Sequence, residues 1–289
     1  MKRLASITAH ADHAPGYRGI TLNWDWVTRP LFGAALAALV VAATYGGAPY
    51  VALYAAIAGV AAAREWHRMV GERVFGPIFL VTSAALVAAL AAAVLWPDSR
   101  AQWAIIVAGA TAAAALAALR GAPAVWHGIG ALYIGIPMLA VVALRGAAHG
   151  AWIIVGMFLA IWATDTGALF TGNLVGGPKL WPALSPNKTW AGTFGGIVAA
   201  AVVESVYIAV LGGHVVAAAL LGAAIAVVAH CGDLFESWVK RVFQRKDSGG
   251  MIPGHGGVLD RIDSTLFAAP VLTLVVLATG LDPTFGAHL

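Results

Sequence analysis

The chain alternates between long apolar runs and short polar clusters. The runs fall at about 31–46, 48–63, 75–96, 102–119, 127–144, 151–170, 191–212, 214–231 and 264–281. Several approach or exceed the roughly 20 residues a helix needs to cross ~30 Å of hydrocarbon. Lipid offers no partner to a bare peptide group, so such runs must be helical. The pattern predicts an all-α, polytopic integral membrane protein with nine transmembrane helices. The first two runs are short and meet at Gly46, Gly47 and Pro49; a single re-entrant hairpin is the alternative for this pair. Many runs are rich in Ala and Gly, which lets helix backbones approach closely and suits a homodimer as well as a monomer.

Three regions follow. Residues 1–30 form an N-terminal cytoplasmic or interfacial segment. It is too polar for a secretory h-region, with Trp24, Trp26 and Arg29 as interfacial anchors. Residues 31–170 hold the N-terminal helices. Residues 171–289 hold the remaining helices and two polar loops, 171–190 and 232–263.

Composition removes the soluble alternative. The chain is 61% hydrophobic and 10% charged, with a mean hydropathy of +0.84, far outside the range of soluble domains. Its net charge of +4 reflects basic loops that fix topology and touch anionic headgroups. No nucleic-acid motif accompanies it, so nucleic acid is not an expected partner. The single Cys231 excludes an internal disulfide and a CxxC metal site, and reads as a small packing residue.

Charge distribution orients the chain. With the N-terminus in the cytoplasm, the inside segments hold Lys2, Arg3, Arg18 and Arg29; Arg64, Arg68 and Arg73; Arg120; Lys179 and Lys188; and Lys240, Arg241, Arg245, Lys246 and Arg261. The outside loops hold only Arg100 and Arg145. Such asymmetry supports both the orientation and the parity of the span count. Both polar loops of the C-terminal region are then cytoplasmic.

Those loops carry the candidate chemistry. In "CGDLFESWVKR", Asp233, Glu236, Ser237 and Lys240 are spaced i, i+3, i+4, i+7 and share one helix face. Two acids, a hydroxyl and an ammonium on one stripe suit a metal and an anion; an ordinary solvated helix end is the plainer reading. In "KDSGGMIPGHGGVLDRIDS" the glycines let backbone N–H groups approach a phosphate. Lys246, His255 and Arg261 can donate to phosphate oxygens. Asp260 and Asp263 would repel a phosphate unless a cation lay between, and Mg²⁺ takes one or two carboxylates together with substrate phosphates. A loop that merely touched the membrane surface would not explain acids interleaved with bases.

In "DTGALFTGNLVGGPKLWPALSPNKTWAGTFGG", Asp165 falls in or at the end of an apolar run, where a carboxylate is costly and a function is the default. Ser185, Asn187, Lys188 and Thr189 offer donors and one cation. No GxxxxGK[ST] occurs, so a P-loop is excluded. Glu204 is another intramembrane acid, readable as a partner for a neighbouring helix. The run "REWHRMVGER" reads as a topology-setting loop, and His127 and Tyr133 as interfacial or packing residues. No Ser/His/Asp arrangement, HExxH or Cys/His cluster is visible.

The stretch "SWVKRVFQRKDSGGMIPGHGGVLDRID" resembles the signature of the phosphatidate cytidylyltransferases, or CDP-diacylglycerol synthases. Each fixed position of S-x-x-K-R-x(4)-K-D-x-G-x-x-x-P-x-H-G-G-x-x-D-R-x-D is met from Ser237 to Asp263. The 165–196 stretch is similar to that family's other conserved region, and the nine-span layout fits as well. One departure is Ala191, where the family commonly has Glu after the aromatic of "SPxKTxEG".

The resemblance implies that CTP and phosphatidic acid react to give CDP-diacylglycerol and pyrophosphate. A lipid phosphate oxygen attacks the α-phosphorus, so no protein nucleophile is required. It further implies an Mg²⁺ site with room for a second cation, built from Asp233 and Asp260 and, after them, Glu236, Asp263 and Asp165. Lys240, Arg241, Lys246 and Arg261 would hold phosphates and His255 would orient the triphosphate. Ser185, Asn187, Lys188 and Thr189 would close the other wall, with Ser237, Asp247, Gly256 and Gly257 also at the substrate. The expected setting is a bacterial-type inner membrane with the site on its cytoplasmic face. Rival readings are a transporter, which also uses intramembrane acids, a polyprenol-type kinase and an ether-lipid cytidylyltransferase.

Overall fold

A computed structural model describes residues 25–73, 75–251 and 256–279. Among these described residues nine helices follow in order: α1 (Asp25–Gly46), α2 (Ala48–Met69), α3 (Pro77–Leu95), α4 (Ala101–Leu119), α5 (Ala124–Gly146), α6 (Gly150–Leu174), α7 (Trp190–Val210), α8 (Val215–Val242) and α9 (Leu259–Thr279). Seven of them, α3 to α9, are long and apolar enough to cross a membrane. α1 carries an apolar run that ends at Gly46, and α2 carries Arg64, Glu65, His67 and Arg68 near its end.

The all-α expectation needs one correction. Between α6 and α7 lie two short strands, β1 (Lys179–Trp181) and β2 (Ser185–Thr189), paired antiparallel with Lys179 opposite Thr189 and Trp181 opposite Ser185. A bulge lies between those two pairs. Polar, proline-containing residues this few in number leave no period-two signal to read. The run 64–73 is corrected too: it is largely the end of α2, with Glu65, Trp66 and His67 buried.

Local chemistry sets the helix ends. Pro49 and Pro77 stand at the first turns of α2 and α3, where the missing N–H costs nothing. Thr189 caps α7, its hydroxyl accepting from Gly192 N at 3.1 Å. The Glu72 carboxylate caps α3, accepting from Ile78 N at 2.7 Å and Phe79 N at 2.9 Å. Thr171 Oγ1 donates to the Ala191 carbonyl at 3.2 Å, tying α6 to α7.

Below the polar end, an aromatic layer joins four helices. Trp66 of α2 donates Nε1–H to the Trp126 carbonyl at 2.9 Å. Tyr133, Phe235 and Phe267 bring α5, α8 and α9 into one cluster with centroid separations of 5.1 to 6.2 Å. These rings set the spacing of the helices that carry the charged residues. Leu80, Val107, Val198, Val202 and Leu220 are exposed on α3, α4, α7 and α8, as expected where helices face acyl chains.

Candidate active site

The crossing of α8 and α9 builds the site. At Gly232 the two backbones touch: a Cβ there would stand 2.6 Å from the Asp263 carbonyl oxygen. That approach brings the acids of the two helices together. Asp233, Glu236, Ser237 and Lys240 follow along one face of α8, with Ser237 Oγ donating to Asp233 Oδ1 at 3.5 Å. Lys240 Nζ lies 2.8 Å from Glu236 Oε2 and 2.8 Å from Asp260 Oδ1.

Asp260 is the knot of the glycine loop. Its Oδ2 accepts from Gly257 N at 2.9 Å and from Ser248 N at 3.3 Å. One carboxylate thus fixes both ends of the loop as well as Lys240. Gly256 holds φ +83°, a left-handed conformation that a side chain strains. Gly257 has no room for a Cβ beside Ser248 Oγ and the Glu65 carboxylate.

The β-hairpin supplies the opposite wall. Lys188 of β2 forms an ion pair with Asp233. Arg241 Nε donates to the Leu184 carbonyl at 3.4 Å, so the hairpin is also held from α8. A cavity of about 270 Å³ lies between, lined by Asp165, Asn173, Asn187, Lys188, Thr189, His230 and Asp233, among others. A second cavity of about 250 Å³ shares Asp165 with it. Asp260, Arg261 and Asp263 line its polar end, and Val40, Tyr54, Met138, Phe158 and Trp162 line its apolar part. Asp263 accepts from Ser264 N at 2.7 Å and lies within the fields of Asp233, Asp165 and Lys240. Five carboxylates thus meet two ammonium groups at one junction. Glu236 Oε1 is buried without a hydrogen-bond partner there.

Other expected residues lie further out. Lys246 and Asp247 are exposed, and Asp247 lines a separate cavity of about 270 Å³ with Arg68 and Arg245. Ser185 begins β2, on the hairpin but outside the lining of the three cavities. The Thr189 hydroxyl is engaged in capping α7. Glu204 lines none of these cavities. His255 lies outside the described residues, as do Lys2, Arg3, Arg18 and Trp24 of the N-terminal segment.

Two residues at the site escaped the sequence reading. Glu65 of α2 accepts from Leu259 N at 2.9 Å and Ser248 Oγ at 3.3 Å, gripping the glycine loop from behind. A lone acid between arginines gave no sign of this. His230, one turn before Asp233, lines the hairpin-side cavity with its Nε2 buried and unpartnered; its i, i+3 spacing from Asp233 was the available signal.

These features define a class: a multi-pass helical membrane protein with a charged site where two helix ends, a glycine loop and a hairpin converge. The chain belongs to the cytidylyltransferase family, whose model matches residues 27–279. It is similar to proteins named phosphatidate cytidylyltransferase. The one from Brucella suis biovar 1 (strain 1330) is 47% identical over 154 residues, 52% of this chain and 56% of that protein. That of Staphylococcus epidermidis (strain ATCC 35984) is 42% identical over 149 residues, 51% of this chain and 56% of that one. That of Staphylococcus haemolyticus (strain JCSC1435) is 41% identical over 147 residues, 50% and 56% of the two. The chain spans about half the length of the curated relatives it matches.

Proposed function

We propose that this chain is a phosphatidate cytidylyltransferase, making CDP-diacylglycerol and pyrophosphate from CTP and phosphatidic acid at the cytoplasmic face of a bacterial inner membrane. The observation that carries this reading is the Asp260 knot, which draws Lys240 and two loop amides onto one carboxylate beside Asp263. Polyanions can be bound there only with cations. α1 and α2 are read as two further spans, giving nine, with the N-terminus inside.

The donor set fits Mg²⁺. Hard carboxylate oxygens are what this ion takes, and the orphaned Glu236 Oε1 marks an acceptor in need of a positive partner. Asp233 and Asp260 would hold the ion, with Glu236, Asp263 and Asp165 beside them. When bound, it supplies charge neutralisation on the phosphates and on the departing pyrophosphate. Asp260 keeps acceptor capacity after its bonds to the loop and Lys240, since a carboxylate has about four lone-pair sites.

The chain's own residues do the rest. Lys188, Asn187 and the α7 start bind the triphosphate in the hairpin-side cavity, with Lys240, Arg241, Lys246 and Arg261 as further cations. Phosphatidate lies in the other cavity, its headgroup at Asp263 and Arg261 and an acyl chain along Tyr54, Phe158 and Trp162. The two cavities share Asp165, which supports a reading in which nucleophile and α-phosphorus meet beside it. The lipid phosphate oxygen forms the new P–O bond as the bond to pyrophosphate breaks. Alignment and charge neutralisation supply the rate.

The test is a product assay on detergent-solubilised protein with labelled CTP and phosphatidic acid, with and without divalent metal. The proposal expects a lipid-extractable cytidine product and stoichiometric pyrophosphate. Release of CDP instead would mean a kinase, and no label in lipid would remove the assignment.

A further inference from the structure

Apart from the acidic junction, the end of α2, the loop leading into α3 and the start of α5 bring two histidines and a glutamate together. His67 and His127 stack with centroids 5.0 Å apart at 18°. Their Nδ1 atoms are 2.7 Å apart. His67 Nε2 lies 2.9 Å from Thr82 Oγ1. Ligand-capable atoms of His67, His127 and Glu72 all lie within 4.8 Å of one another, the one such His/Cys/Asp/Glu group among the described residues. The histidines are 1% and 0% exposed, and His127 Nε2 is buried with no partner.

We propose that His67, His127 and Glu72 form a second metal site, distinct from the acidic centre and selective for a Zn²⁺-class transition-metal dication. Imidazole nitrogen suits Zn²⁺, Co²⁺ and Ni²⁺, whereas Mg²⁺ prefers an oxygen shell. Two histidines and a carboxylate are a familiar three-ligand set with a fourth position open. Thr82 orients His67 through its other nitrogen, the outer-shell arrangement that metal-bound imidazoles usually have. Glu72 keeps free lone pairs after capping α3. Nitrogens on one tetrahedral ion stand roughly 3.3 Å apart at bond lengths of about 2.0–2.1 Å, so the rings part slightly when the ion enters. The bound ion pins α2 to α5 two residues from Glu65, which grips the glycine loop.

The experiment uses the full-length protein in detergent, stripped with chelator and titrated with Co²⁺. The expected result is a visible ligand-field band that saturates at one Co²⁺ per chain. Zn²⁺ should displace it and excess Mg²⁺ should not, and Zn²⁺ should raise the melting temperature. His67→Gln, His127→Gln and Glu72→Gln lose or weaken the band, while Asp260→Asn keeps it. A wild-type protein with neither band nor Zn²⁺-induced melting shift would overturn the site and leave a plain histidine–histidine hydrogen bond. So would a band that survives both histidine variants or disappears in Asp260→Asn. The wild-type titration decides the matter even where a variant fails to fold.

Discussion

Lys240 on α8 and Asp260 on α9 are joined by a 2.8 Å ion pair, and the same ammonium lies 2.8 Å from Glu236. The Lys240 side chain is 14% exposed, and those of Glu236 and Asp260 are 1% and 14% exposed. The pairing therefore acts in a largely dry place, where removing one partner strands the others. It also makes α8, the glycine loop and α9 a single unit.

Lys240→Met should strand two carboxylates. Breaking a buried pair costs about 3–5 kcal/mol, so the variant should melt well below wild type in detergent and lose turnover. A melt within error of wild type would show that the carboxylates do not depend on this ammonium.

Glu65→Gln keeps the side chain's shape but removes the charge that faces Leu259 N and Ser248 Oγ. Hydrogen bonds to charged groups contribute about 1.5–3 kcal/mol, about a tenfold to hundredfold effect if it is all expressed in the transition state. We expect kcat to fall by at least that lower factor with the helical far-UV signal unchanged. Unaltered kcat and KM would confine Glu65 to a passive role.

Gly256→Ala places a side chain at φ +83°, which costs about 1–2 kcal/mol. It also sets a Cβ 3.2 Å from Asp260 Oδ2. The loop should shift and the apparent affinity for CTP should drop in an initial-rate titration. Gly232→Ala should be worse, because its Cβ would press on the α9 backbone itself; retained activity there would mean that α8 and α9 need not touch.

Lys188→Ala removes the hairpin's ion pair with Asp233. KM for CTP should rise more than KM for phosphatidate, since Lys188 lines the hairpin-side cavity alone. Lys246→Ala should likewise weaken CTP binding. Equal effects on both substrates would argue against assigning the two cavities to different reactants.

Much of this was legible from the letters. Apolar runs locate the helices because lipid permits little else, and the i, i+3, i+4, i+7 spacing places Asp233, Glu236, Ser237 and Lys240 on one face of α8. What was hidden depended on tertiary contact. Nothing in "REWHRM" shows that Glu65 reaches residues 248 and 259, or that His67 meets a histidine sixty positions away. The hairpin at 179–189 is too short to leave a periodic trace, and among the described residues seven helices meet the length and apolarity of a span, α2 falling short because it ends in charge.

The most direct test of the central claim is the equilibrium binding of Mn²⁺, used as a paramagnetic stand-in for Mg²⁺, to wild type, Asp233→Asn and Asp260→Asn in the presence of CTP. One shared centre predicts that either substitution alone abolishes the tight sites and that the double variant loses nothing further. Full wild-type stoichiometry and affinity in both single variants would contradict it.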